Sequence, residues 1–108
     1  VVAQPRRLRP GAVCGELARS ARLHWQALLT ARAIENQAYV AGCNRVGSDG
    51  NGHHYRGDSR IINPQGDIIA ASEPHQAVRV EAELSLESLR EYREKFPAWQ
   101  DADRFTLE

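Results

Sequence analysis

The stretch "HWQALLTARAIENQAYVAGCNRVG" changes its hydrophobic period halfway along, and this switch constrains the fold more than any other feature of the 108-residue chain. From His24 to Gln37, Trp25, Leu28, Leu29 and Ala33 recur at the spacing of one helical face, with Ile34 beside them. No Gly or Pro interrupts the run, and Arg32 and Glu35 stand at i, i+3, where they can pair. "AYVAGCNRV" then reads as a short, apolar, buried strand. A helix feeding such a strand predicts a layered α/β structure.

The rest of the chain extends this reading. "GSDGNG" is loop by composition. "SRIIN" and "DIIAA" flank "PQG", a hairpin signal in which Pro presets φ and Gly supplies the turn. "AVRVEAEL" alternates Val78, Val80, Ala82 and Leu84 with Arg79, Glu81 and Glu83, the pattern of a strand with one wet face. Ser85 is placed to cap a following helix whose apolar side is Leu86, Leu89, Tyr92 and Phe96, and Pro97 stops it. The tail "AWQDADRFTLE" carries Trp99 and Phe105 with no local partner, so they are expected to pack on the body or on another subunit. The order is helix, strand, hairpin, strand, helix, tail. Its edge strands and one-sided helices are part of a layered structure, incomplete as a single chain.

Charge and cysteine content narrow the function. Formal net charge is zero, which argues against a nucleic-acid partner. The balance is uneven: residues 1–22 carry +4 and residues 23–108 carry −4. Cys14 and Cys43 form no CxxC motif or disulfide framework, so a reducing cytoplasm is expected. No apolar run approaches the roughly 20 residues of a membrane span, so no membrane partner is expected either.

Several residue groups invite a chemical reading. Arg56-Gly57-Asp58 is the tripeptide that adhesion receptors read, but a loop-to-strand junction where Gly57 permits close backbone approach explains it better. Asp49, Asn51, His53, His54 and Asp58 lie close together in sequence, yet the terminal Glu of a Ca²⁺ loop is missing. Adjacent His53 and His54 point to opposite sides of an extended segment, so no metal or cofactor is expected. Cys43, with His24 or His54 as its base, could form a nucleophile, but in mid-strand a buried small hydrophobe is the usual occupant. Cys14 lies in the anomalous first segment. No nucleophile, base and oxyanion donor assemble from these residues.

The passage "HWQALLTARAIENQAYVAGCNRVG" resembles the nitrilase, or carbon–nitrogen hydrolase, superfamily. "YRGDSRIINPQGDII" is similar to the hairpin that follows in that family, with Gly57, Ser59, Pro64 and Gly66 at the expected places. "LREYREKFPAWQDAD" is similar to the C-terminal helix and tail of its bacterial omega-amidase branch. The resemblance begins at Leu23 and runs to the end of the chain, which it makes the C-terminal part of a carbon–nitrogen hydrolase domain. It implies a partial αββα sandwich, a small-molecule amide as the full-length parent's substrate, and possible homodimerisation through the C-terminal helix and tail. The family's chemistry, hydrolysis of amides such as 2-oxoglutaramate, uses a Glu base, a Lys that stabilises the oxyanion and a Cys that forms a thioester. None of the three maps onto this sequence; the only lysine, Lys95, belongs to the C-terminal helix. The resemblance therefore assigns no catalytic, cofactor or metal residue here. It implies an inactive chain or, alternatively, a non-catalytic module that pairs with a separate N-terminal half.

Residues 1–22 do not share the resemblance. One permitted set of codons for Arg7 to Ala18, re-read from its second nucleotide, spells Asp-Tyr-Asp-Leu-Ala-Leu-Tyr-Val-Ala-Asn-Trp-Pro, which is similar to the strand a family member carries at this place. The expectation is that this segment is out of frame, and that it is the least faithfully folded part of the chain.

Overall fold

The computed structural model of the chain describes residues 14–108, with side chains from Ser20 onward. Helix α1 spans Cys14–Glu35 and is followed by five short strands: β1 (Val40–Gly42), β2 (Val46–Ser48), β3 (His54–Arg56), β4 (Arg60–Ile62) and β5 (Ile68–Ala71). Helix α2 (Leu86–Lys95) and a 3₁₀ turn (Ala98–Asp101) complete it. β1, β4 and β5 form an antiparallel sheet in that order, with Val40 opposite Ile62 and Gly42 opposite Arg60. β2 and β3 form a separate hairpin.

α1 begins well before the expected His24 and passes residue 22 without a break. "CGELARSAR" is rich in Ala, Leu, Glu and Arg, which favour a helix wherever Pro is absent. The first 13 residues of the segment expected to fold least faithfully lie outside the described residues.

One stripe of α1 packs on the sheet: Leu29 and Ala33 meet Val40 and Ile62 in a buried cluster, with Trp25 packed against it. Leu28 and Ile34 lie off this stripe and are exposed, although the sequence pattern grouped them with it. Each fully buried aliphatic side chain contributes about 1.5–3 kcal/mol. Leu29, Val40 and Ile62 are such residues and Ala33 contributes less, so the core among the described residues is small.

The turn out of α1 is specified by tertiary contacts. Ala38 N–H bonds the Ala33 carbonyl (3.0 Å) and Gln37 N–H bonds that of Ile34 (3.2 Å), the two bonds of a Schellman ending. Its left-handed residue is Gln37 (φ 46), where Gly is usual. Gln37 is buried, and its Nε2 donates to the Phe96 carbonyl (2.7 Å) while its own carbonyl accepts from Arg93 Nε (2.9 Å). A glycine there would turn as easily and keep the carbonyl bond from Arg93, but would lose the side-chain bond to the Phe96 carbonyl at the end of α2.

The "NPQG" hairpin forms as expected. Asn63 Oδ1 accepts from the Gln65 and Asp67 amides (3.1 and 2.8 Å), and a bulge at Ile69 shifts the β4–β5 register. The Ser85 cap also forms, its side chain accepting from Ser88 N–H (3.1 Å).

Three expectations are corrected. "GSDGNG" is not all loop: Val46–Ser48 pairs with His54–Arg56, because the Asp49 turn brings the two segments together. "AVRVEAEL" forms no strand, since no neighbour within the described residues offers its backbone a ladder. Cys43 is not a buried mid-strand residue: β1 ends at Gly42, and the thiol is free and exposed.

Candidate functional site

The β3–β4 connection gathers the densest polar cluster of the described residues. Asp58 sits there in left-handed backbone (φ 54), directly after Gly57. A Cβ on Gly57, at φ +86, would come 2.8 Å from Val46 Cγ1, so the residue before Asp58 must lack one. This geometry turns the Asp58 side chain inward. Its carboxylate Oδ2 lies 3.4 Å from Arg22 Nε and 3.6 Å from Arg56 Nε, and only 8% of the side chain is exposed. The Asp58 carbonyl accepts from Trp25 Nε1 (3.0 Å) and Arg60 Nε (3.2 Å). Gln26, with its amide oxygen facing the cluster, accepts from Arg22 Nε (3.2 Å) and Arg60 Nη2 (3.0 Å). Burial pulls Arg60 below the ordinary guanidinium value, Asp58 opposes that shift, and Arg22 adds to it.

This arrangement decides the Arg56-Gly57-Asp58 question. An adhesion ligand must present its carboxylate outward, whereas this one is buried between two guanidinium groups. The cluster fastens α1 to the β3–β4 turn. It holds no nucleophile and no base positioned to activate one.

In the hairpin loop Asp49 is likewise fully engaged, while His53 Nε2 is buried without a hydrogen-bond partner. Asp49 Oδ1 accepts from the Asn51 and His53 amides (2.8 and 3.0 Å), and Oδ2 accepts from the Tyr55 hydroxyl (3.1 Å). The His53 amide bond, chiefly, holds the Asp49 carboxyl below its ordinary value; burial opposes it, and the Asn51 amide, Tyr55 hydroxyl and His53 charge assist. Arg45 lies over the Tyr55 ring, 4.9 Å from its centre. His54 Nδ1 is 2.6 Å from Ser48 Oγ. The loop thus spends its acidic and imidazole groups separately, and no group of three metal-ligating side chains comes together among the described residues.

Cys43 pairs with neither His24 nor His54. Beyond it, Ser59 Oγ accepts from the Asn44 amide (2.9 Å) and donates to the Asn44 carbonyl (3.2 Å), closing the strand end. Lys95 ends α2. Sequence reasoning missed Gln37 and the Trp25–Asp58 bond. The one available signal was the unusual density of arginines around a single acid in "YRGDSR". No helix among the described residues is long and apolar enough to cross a membrane.

Comparison with known proteins supplies what the geometry leaves open. The carbon–nitrogen hydrolase family profile matches residues 14–94. The omega-amidase YafV of Escherichia coli K12 is 82% identical over 85 residues, which are 79% of this chain and 33% of that protein. A 2-oxoglutaramate amidase of Bacillus subtilis is 42% identical over 78 residues, covering 72% of this chain and 29% of its own. A carbon–nitrogen hydrolase superfamily protein of Xanthomonas campestris, with an arsenic adduct in its active site, superposes with a TM-score of 0.73 at 44% identity. That superposition covers 82% of this chain and 34% of that structure. The chain therefore spans about a third of the length of these relatives. The helix-to-strand passage and the hairpin lie inside the matched range, and on that ground the chain belongs to the carbon–nitrogen hydrolase family.

Proposed function

We propose that this chain is the C-terminal part of an omega-amidase-like hydrolase whose parent reaction cleaves monoamides of 2-oxo dicarboxylates, such as 2-oxoglutaramate, in the cytoplasm. The observation that carries this reading is the 82% identity to an omega-amidase across 85 residues. In the parent reaction a cysteine thiolate attacks the amide carbon, and a lysine stabilises the oxyanion. Collapse breaks the C–N bond and expels ammonia, protonated by the glutamic acid. Water then hydrolyses the thioester, returning the thiol and releasing the dicarboxylate.

Among the described residues no side chains are arranged to fill those three roles. Cys43 has no paired base, Lys95 stands at a helix end, and Asp58 is held by arginines. The isolated chain is accordingly inactive. Purified chain incubated with 2-oxoglutaramate should release no ammonia above the blank, whereas appreciable release overturns the inactivity. Sequencing the coding DNA tests the out-of-frame origin of residues 1–22: codons that cannot be re-read as the family strand refute it.

A second reading, a module that assembles with a separate N-terminal half or with a second copy, is favoured by the uncovered apolar surface. α2 buries no residue, and Leu86, Phe96, Trp99 and Phe105 are all exposed. Sedimentation of the chain alone tests the homodimer: a monomer at every concentration excludes one built on α2 and the tail.

A further inference from the structure

The chain has four asparagines, and their surroundings give them different reactivity. The side-chain amide of an asparagine can be attacked by the backbone nitrogen of the next residue. What matters is the bulk of that residue, whether it has an N–H, and what holds the amide. Asn36 precedes Gln37, and its Nδ2 donates to the Arg32 carbonyl (3.0 Å). Asn44 precedes Arg45, whose amide donates to Asn44 Oδ1 (2.9 Å) and so points at oxygen instead of the reactive carbon. Asn63 precedes Pro64, which has no N–H to lose, and its Oδ1 already accepts from the Gln65 and Asp67 amides. Asn51 alone is followed by glycine. Both Asn51 and Gly52 are exposed, and among the described residues the Asn51 side chain makes no hydrogen bond. A Cβ on Gly50 or Gly52 would meet no atom within 4 Å, so nothing crowds a ring formed on this backbone. Gly52 stands at φ +79, where a side chain is strained, so the turn itself demands the glycine that makes Asn51 labile. The neighbouring Asp49–Gly50 step is protected, because the His53 and Asn51 amides and the Tyr55 hydroxyl hold Asp49 as an unreactive carboxylate.

We propose that Asn51 is a self-modification site: it closes to a succinimide with Gly52, hydrolyses to aspartate or isoaspartate, and the isoaspartate holds the β2–β3 turn open. In the first step the Gly52 amide gives its proton to a solvent base, and its nitrogen bonds to Asn51 Cγ. The Cγ–Nδ2 bond breaks, and Nδ2 takes a proton from water and leaves as ammonia. Water then opens the ring. Cleavage at Cγ gives a normal aspartate, whereas cleavage at the Asn51 main-chain carbonyl gives isoaspartate, with the chain routed through the former side chain. Overall one water replaces one ammonia, and no electrons are transferred. In the closed turn the Gly52 N–H donates to the Asp49 carbonyl (3.1 Å), so the nitrogen reacts when that bond opens. The product sets a new carboxylate two residues from Asp49. Isoaspartate also adds a methylene to the main chain between the Asp49 carbonyl and the Gly52 amide, which displaces the bond that closes the turn. The Asp49 N–H bond to the His53 carbonyl (3.0 Å) spans the same loop and is lost with it. Only Val46–Arg56, Gly47–Tyr55 and Ser48–His54 pair beyond this point, and so short a ladder depends on its turn.

The test ages the whole purified chain for days at mildly alkaline pH. Peptide mapping by mass spectrometry follows each asparagine, and enzymatic methylation of isoaspartyl carboxylates identifies the isomer. Asn51 should convert at least about tenfold faster than Asn36 or Asn44, and the product should be labelled as isoaspartate. Asp49→Ala removes the side-chain acceptor of the Asn51 and His53 amides and should speed conversion by about fivefold or more, the worth of one such bond. Asn51→Gln keeps an amide but should give neither product. In the isoaspartate fraction the Asp49 amide should exchange hydrogen at least about tenfold faster than in fresh chain or in aged Asn51→Gln. Conversion spread evenly over Asn36, Asn44 and Asn51 overturns the proposal. So does conversion of Asn51 that is more than about tenfold slower in the folded chain than in the same chain in urea, because the turn then shields it. An Asp49 amide equally protected in the isoaspartate fraction overturns the opening of the turn.

Discussion

Substituting Gly42 by Ala tests whether the buried cluster is as tightly closed as its geometry implies. Gly42 ends β1 opposite Arg60, and the face it turns toward α1 is occupied. A Cβ there would collide with Leu29 Cδ1 and lie 3.1 Å from Leu29 Cδ2 and 3.2 Å from Trp25 Cζ2. Neither neighbour yields easily: Leu29 is 5% exposed, and Trp25 is tethered through its indole N–H to Asp58. Overpacking of this kind costs about 1–3 kcal/mol. Loss of glycine's extra freedom in the unfolded chain offsets about 0.4–1 kcal/mol of that. The net destabilisation should be about 1–2 kcal/mol. Leu29→Ala alone should cost about 2–5 kcal/mol through the cavity it leaves. Combined, the new methyl at position 42 occupies part of that cavity, so the double variant should cost less than the sum by about 1–2 kcal/mol. Urea unfolding followed by Trp25 fluorescence, in a Trp99→Phe background to remove the exposed indole, measures all four corners of the cycle. Additivity within about 0.5 kcal/mol would refute the claim that Gly42 is dictated by the approach of Leu29.

Asp49 makes the β2–β3 hairpin sensitive to acid. Its carboxyl titrates below the ordinary value, so its stabilisation is complete above the usual carboxylate range and is lost as pH falls through the depressed pKa; the amide shifts of Asn51 and His53 in an NMR titration should move together there. A hairpin unchanged below that range would show that the Asp49 bonds do not hold it. Ser85→Ala should destabilise α2 by about 0.5–2 kcal/mol, read as lost helical ellipticity, because a helix with no buried residue depends on its cap. In a Cys14→Ser background, Cys43 should react with a thiol reagent without denaturant; reaction only after unfolding would restore the buried-strand reading.

What the sequence made legible depended on where each element finds its partners. Trip-wire residues of local structure were readable: Ser85 caps, Pro97 stops, and Asn63 to Gly66 turn, each through contacts a few residues away. The α1 stripe was half readable, because periodicity located Trp25, Leu29 and Ala33 but also drew in Leu28 and Ile34, which no neighbour covers. Gln37 was unreadable. Its left-handed turn is one that glycine usually makes, and the reason for glutamine lies 59 residues away at Phe96. Asp58 likewise reads as part of a loop-to-strand junction, and its burial waits on Arg22 and Trp25 arriving from α1. The catalytic question was legible at the sequence level only as far as the family.

The strand alternation at residues 77–84 carries the same physics to its limit. Alternation records which side chains a finished sheet would bury, whereas a strand exists only when a second backbone accepts its hydrogen bonds. Val78, Val80, Ala82 and Leu84 therefore specify a face, but nothing in the described chain supplies the ladder. The exposed apolar residues on α2, β5 and the tail fall into the same class: Ile68, Ile69, Phe96 and Trp99 suit contacts that the buried cluster of Leu29, Ala33, Val40 and Ile62 is too small to provide. A sequence selected to fold alone would place polar side chains at such positions, because exposed edges and apolar patches invite association. The described elements thus enclose less apolar surface than these side chains present.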